Sequence, residues 1–140
     1  MTSLPSAQSF SIPVRVYYED TDAGGVVYYA NYLRFFERCR TEWMRHAGYG
    51  QAQLADEAGI GFVARKASCE YLRPARLDDA LSISLRVEKL TRVRVIFHQE
   101  ARRGDELLVS GSVEIACVNM ASMRPAAIPD FLYSKLEALQ

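Results

Sequence analysis

The sequence predicts an α+β domain in which one long amphipathic helix lies against an antiparallel sheet of five strands. Three observations carry this. Between residues 32 and 47 apolar residues recur at helical spacing. From Phe62 onward the period changes to two. The connections between the period-two runs are short, as hairpins allow and crossover helices do not. An apolar helix stripe and an apolar sheet face must then be buried on each other.

Taken in order, residues 1–12 read as a flexible N-terminal lead, carrying Ser, Pro and Gln, and residues 13–140 as one domain. Val14-Arg15-Val16-Tyr17-Tyr18 is β-prone and reads as the first strand. It breaks into Glu19-Asp20-Thr21-Asp22-Ala23-Gly24-Gly25, a polar loop with two glycines. Tyr32, Phe36, Cys39, Trp43 and Ala47 follow at spacings that place them on one helix face. Leu33 and Met44 widen that stripe, and Gly48 supplies the stop. A second helix fits Gln51 to Ala58, ended by Gly59. Val63 to Arg73 is β-prone but alternates poorly. Leu81, Ile83, Leu85 and Val87 alternate with polar residues, as do Val93, Val95 and Phe97, and as do the odd positions from Leu107 to Cys117. Turns fall at residues 74–79, 90–92 and 103–105. Pro129 to Leu139 suits a C-terminal helix opened by Pro129.

Bulk properties exclude several function classes. Seventeen basic residues balance seventeen acidic ones. The basic surplus that nucleic acid or an anionic membrane would require is therefore missing. No run approaches the ~20 apolar residues of a spanning helix, and the N-terminus lacks the features of a signal peptide, so the expected location is the cytoplasm without membrane insertion. Cys39, Cys69 and Cys117 stand far apart, without a CxxC pair, and read as reduced thiols. His46 and His98 read as a helix-end and a surface-strand residue.

The chemistry concentrates between Glu19 and Tyr32. Three carboxylates, Glu19, Asp20 and Asp22, lie within four residues just before a helix rich in aromatic side chains. Loop aspartates commonly stabilise turns or cap helices. The same oxygens could hold magnesium, although an extended chain would point Asp20 and Asp22 one way and Glu19 another. A third reading is a carboxylate poised beside the amides of a helix N-terminus.

The whole string resembles one family. Asp20-Thr21-Asp22-Ala23-Gly24-Gly25-Val26-Val27-Tyr28, the Tyr29-Ala30-Asn31-Tyr32 that begins the helix, and Phe36-Glu37-Arg38 within it are similar to the 4-hydroxybenzoyl-CoA thioesterase family. Within that family the Tol–Pal-associated acyl-CoA thioesterases look most alike. Pro13 to Tyr18, Glu70-Tyr71, Pro74 to Asp79 and Ala116-Cys117-Val118 extend the likeness over most of the chain. The resemblance implies the hot-dog fold, an α+β domain whose antiparallel five-stranded sheet wraps around one long helix. It implies hydrolysis of acyl-coenzyme A, with acyl carrier protein as a second carrier, no cofactor and no metal. It implies a homodimer or homotetramer with the acyl site between protomers.

Carried over by position, the catalytic carboxylate is Asp22 and the carbonyl-polarising amide is the backbone N–H of Tyr29. Gly25 and Val26 line the substrate. The Tol–Pal-associated enzymes usually carry His where this chain has Tyr29, a departure that weighs against a mechanism using a histidine side chain. Arg92, Arg94 and Lys66 are candidates to hold coenzyme A phosphates, which suit guanidinium groups, and solvated strand charges are the alternative. A non-catalytic acyl-CoA or acyl-carrier-protein binding module, a dehydratase and a magnesium-dependent phosphotransferase are the rival functions. The dehydratase would want a histidine near the helix start, where this chain has none.

Overall fold

The computed structural model describes residues 9–140 and shows five antiparallel strands and three α-helices among them. In chain order these are β1 (Phe10–Arg15), a 3₁₀ turn (Tyr18–Asp20), α1 (Tyr29–His46), α2 (Gln51–Ala58), β2 (Ile60–Tyr71), β3 (Ala80–Leu90), β4 (Arg94–Arg103), β5 (Glu106–Asn119) and α3 (Asp130–Glu137). The sheet order is β1-β3-β4-β5-β2.

Strand β1 starts and stops earlier than expected. It begins at Phe10, so residues 10–12 of the expected lead pair with β3, while residues 1–8 lie outside the described part. It ends at Arg15 because Tyr17 to Thr21 turn back on themselves: the Asp20 and Thr21 amides donate to the Tyr17 and Tyr18 carbonyls. A second correction concerns β2 and β3. They are sequence neighbours but not partners, for β2 pairs with β5 and β1 with β3. Three strand spacings amount to about 14 Å, and the eight residues 72–79 can reach up to ~26 Å, so the connection at 74–79 crosses the sheet end and makes no hairpin.

Helix α1 buries Tyr32, Phe35, Phe36, Cys39, Trp43 and Met44 against the inner sheet face. The stripe lies further toward Phe35 than expected, leaving Leu33 40 % exposed. Opposite it stand Leu81, Ile83 and Leu85 from β3, Val95 and Phe97 from β4, and Val113 and Ile115 from β5. Fully burying a side chain of this kind contributes roughly 1.5–3 kcal/mol. Gly111 lets the helix approach: a Cβ there would sit 2.9 Å from the Phe36 ring. A bulge opposite Ala101 and Arg102 shifts the parity of β5, so that Leu108, not Leu107, is buried. Beyond α1, Gly48 adopts φ 102° and donates to Arg45 O while Tyr49 donates to Met44 O, the paired bonds of a Schellman stop.

Candidate active site

Chain direction gathers three segments at one end of the sheet. The turn after β1, the connection 72–79 after β2, and the β4–β5 turn all lie there. Residues 21–27 form a small hairpin over this end, bridged at Thr21 and Val27. Its tip is a tight turn in which the Gly25 amide donates to Asp22 O at 3.0 Å and Gly25 takes φ 79°, a value that suits glycine. Val26 bridges to Arg76 and the Val27 amide donates to Ala75 O, which docks the hairpin on the connection after β2.

Asp22 sits at the exposed start of that turn. Its Oδ1 accepts the Gly24 amide at 2.8 Å, an Asx-type turn that orients the carboxylate. Asp20 faces the other way. It is buried, its Oδ2 accepts the Tyr17 amide and its Oδ1 accepts Asn31 Nδ2, both at 2.8 Å. The expectation that Asp20 and Asp22 point together fails because residues 18–20 are a 3₁₀ turn, not extended chain. Among the described residues no three His, Cys, Asp or Glu side chains converge on a point that could hold a metal ion.

Tyr29 is the first residue of α1, and no side chain caps that end. The first amides of a helix have no acceptor within it and carry the positive end of the dipole. Next to them lies a cleft of about 220 Å³ lined by Val26, Val27, Tyr29, Tyr32, Tyr71 and neighbours in residues 72–74. Tyr71 closes one wall. Its ring centroid lies 5.5 Å from that of Tyr29 and 5.8 Å from that of Tyr32, and its hydroxyl donates to the Tyr29 carbonyl at 3.4 Å. Burial, the Cys69 thiol and the neighbouring phenols push its pKa up to about 12, so it is a neutral donor at physiological pH.

Arg103 fixes the connection beneath the hairpin, donating to Asp79 Oδ2 at 2.7 Å and to Pro74 O at 3.3 Å. Burial opposes the Asp79 charge, but the Arg76 amide and the Arg103 guanidinium outweigh it and hold the carboxyl below its ordinary range. Sequence reasoning gave no role to Asn31, Tyr71 or Arg103, and weighed Asp20 as a turn, cap or magnesium carboxylate but not as a tie to the helix. The string Tyr-Ala-Asn-Tyr did contain Asn31, but its partner lies eleven residues earlier.

The predicted phosphate-binding residues are not brought to Asp22 within one chain. Arg92 and Arg94 lie at the opposite end of the sheet, and the eleven residues of β3 at ~3.4 Å each separate the ends by about 35 Å. Arg92 pairs with Asp130 at 2.6 Å and covers the Tyr133 ring at 4.5 Å. Arg94 reaches Glu114 at 3.5 Å, and Lys66, beside the β2 bulge, stands opposite the same Glu114. His98 pairs with Glu100 at 3.0 Å, and His46 ends α1 against Phe10. All three cysteines are free, and burial pushes the Cys39 thiol up to about 12 and Cys117 to about 11, which disfavours a nucleophilic thiolate. A larger cavity of about 280 Å³ lies farther along α1, between Trp43, Phe62, Phe97 and Leu132.

A family model described as the thioesterase-like superfamily matches residues 16–136. The acyl-CoA thioesterase YbgC of Haemophilus influenzae is 44% identical over 120 residues, 86% of this chain and 88% of its own. The acyl-CoA thioester hydrolase YbgC of an Escherichia coli O6:H1 strain is 42% identical over 129 residues, 91% of this chain and 96% of its own. Among solved structures, a probable thioesterase from Bartonella henselae superposes with a TM-score of 0.81 at 37% identity, covering 86% of this chain and 99% of that one. The five-stranded antiparallel sheet packed on α1 is the hot-dog architecture of these thioesterases. No helix of the described residues is long and apolar enough to cross a membrane.

Proposed function

Because the chain belongs to the thioesterase-like superfamily, we propose that it hydrolyses the thioester of acyl-coenzyme A to a free acid and a thiol, with Asp22 as its carboxylate. One observation carries the reading: an exposed, oriented carboxylate sits in a turn that leads directly into the uncapped N-terminus of α1, beside an apolar cleft. A thioester carbonyl is already activated, since sulfur donates poorly to it, and needs neither a metal nor a serine triad. It needs an oxygen acceptor site and a carboxylate. The Tyr29 amide faces the developing oxyanion, while Asp22 either attacks the carbonyl carbon, giving an anhydride that water opens, or takes a proton from attacking water. In both routes the C–S bond breaks and the sulfur leaves as thiolate, which then takes up a proton. A single turnover in H₂¹⁸O separates them, because the anhydride route carries label into Asp22 when water attacks the carboxylate side.

The working unit in this reading is a dimer. Among the described residues strand β2 is a twelve-residue edge paired only with β5, and the β2 residues from Ala64 to Ser68 are exposed. Antiparallel pairing of two such edges would set the Arg94 end of one chain beside the Asp22 end of the other. That arrangement offers Arg94 and Lys66 to a nucleotide phosphate across the interface, whereas Arg92 remains occupied by Asp130. Acyl carrier protein enters as a second carrier with the same thioester.

The test is thiol release from a panel of aliphatic and aromatic acyl-CoA substrates by wild type and Asp22→Asn. Wild-type turnover with loss of about 10² or more in kcat for the variant supports the reading. Acyl-CoA bound without turnover would establish the binding-module alternative, and a monomeric mass by light scattering at full activity would remove the dimer.

A further inference from the structure

We propose that Asp20 and Asn31 form a positioning strut that sets the Asp22 carboxylate against the first turn of α1. The inference rests on the thioesterase reading of Asp22 but concerns two residues that reading does not use. Asp20 is a carboxylate only 5 % exposed, in a chain whose other acidic side chains are all more accessible. Burying a charge costs free energy unless it is hydrogen-bonded, so the place where it is used is informative. Each of its acceptors reaches a different segment. Oδ2 takes the Tyr17 amide and closes the 3₁₀ turn after β1, and Oδ1 takes Nδ2 of Asn31, in the first turn of α1. The Asp20 backbone carbonyl accepts the amide of Tyr28, the residue before the helix, at 3.0 Å. Asn31 in turn donates its own amide to Tyr28 O at 2.8 Å.

Asp20, Tyr28 and Asn31 thus close a ring of hydrogen bonds at the base of the 21–27 hairpin, with Tyr17 tied to it through Asp20. Asp22 lies two residues after Asp20 and the Tyr29 amide one residue after Tyr28, so both reacting groups are a short step of chain from that ring. Without the strut the hairpin is still held on its outer side by Val26 and Val27, which dock on Arg76 and Ala75. Its spacing from the helix start is the degree of freedom that Asp20 and Asn31 remove. A misplacement of about 1 Å between reacting groups can cost ~10²-fold in rate, so the strut acts on turnover through Asp22 and not on substrate affinity.

The polarity of the pair makes a reciprocal test available. Asp20→Ala removes both acceptors and leaves the Tyr17 amide and Asn31 Nδ2 without them. Asn31→Asp sets two carboxylates face to face. The double variant Asp20→Asn with Asn31→Asp restores one donor and one acceptor in reversed order and still offers an oxygen to the Tyr17 amide. Each variant is assayed for kcat and KM on the best acyl-CoA of the panel, for melting temperature, and for amide hydrogen exchange at Tyr28. The expected result is that each single variant loses kcat, by up to ~10²-fold, with KM little changed and faster exchange at Tyr28. The double variant recovers both kcat and protection. Single variants with wild-type kcat and exchange would overturn the strut, as would a double variant as impaired as the singles, whether or not the singles fold. If wild type hydrolyses no thioester, the thioesterase reading falls, and exchange at Tyr28 alone decides the strut.

Discussion

Replacing Tyr29 by Pro isolates one backbone N–H at the helix start. Tyr29 is the first helical residue, a position where no intrahelical bond is lost and where proline is well tolerated. The preceding residue is already suitable, since Tyr28 has φ −64° and ψ 129°, within the extended range that proline imposes on its neighbour. What the substitution does remove is the phenol ring, 63 % exposed, which stacks on Tyr28 at 5.2 Å and lies 5.5 Å from Tyr71. Aromatic pairs of this kind contribute about 0.5–1.5 kcal/mol each, so Tyr29→Ala is the reference that loses the rings and keeps the amide. Relative to that reference, the Pro variant lacks one preorganised oxyanion donor, which in acyl transfer is worth roughly 3–4 kcal/mol, or ~10²–10³-fold in kcat. Tyr29→Phe retains both ring and amide and should stay near wild type. Thiol-release kinetics on the four proteins, with circular dichroism and melting to exclude a collapsed fold, decide the matter. A Pro variant as active as the Ala variant would refute the amide's role. A Phe variant as inactive as Pro would transfer that role to the phenol.

Other expectations follow from single contacts. Gly24→Ala places a Cβ 3.2 Å from Asp22 Oδ1, closer than most such contacts, so kcat should fall several-fold, about 0.5–1.5 kcal/mol if one hydrogen bond to the carboxylate is disturbed, with an unchanged melting temperature. Arg94→Ala should raise KM for acyl-CoA and leave KM for a short pantetheine thioester unchanged, whereas Arg92→Ala should lower the melting temperature by releasing Asp130 and Tyr133; equal effects on both substrates would assign Arg94 to stability alone. The Cys39 and Cys117 thiols ionise less readily in the fold than the ordinary value of 9.0. A raised folded pKa stabilises below the unfolded value and loses that contribution above it, so denaturation midpoints should fall between pH 9 and about 12, and Cys39→Ala should flatten the decline.

Local patterns carried most of the fold. The spacing of Tyr32, Phe36, Cys39, Trp43 and Ala47 placed α1 on the sheet, and the alternation from Leu81 to Val87 placed β3, because helix and strand periods are properties of consecutive residues. Gly48 and Gly59 marked helix ends for the same local reason, each taking a positive φ at its stop. The string from Asp20 to Tyr32 likewise located the candidate site, since Asp22 and the start of α1 are only seven residues apart. Pairing is a different matter. That β2 joins β5 and not β3, and that Arg92 and Arg94 stand at the opposite end of the sheet from Asp22 within a chain, depends on how the sheet closes over the helix, which no short window of sequence encodes. The division of labour between two similar aspartates was equally out of reach. Asp20 and Asp22 are separated by one residue, and it is the 3₁₀ turn, with Asn31 brought back from the helix, that buries one carboxylate as a tie and leaves the other facing solvent.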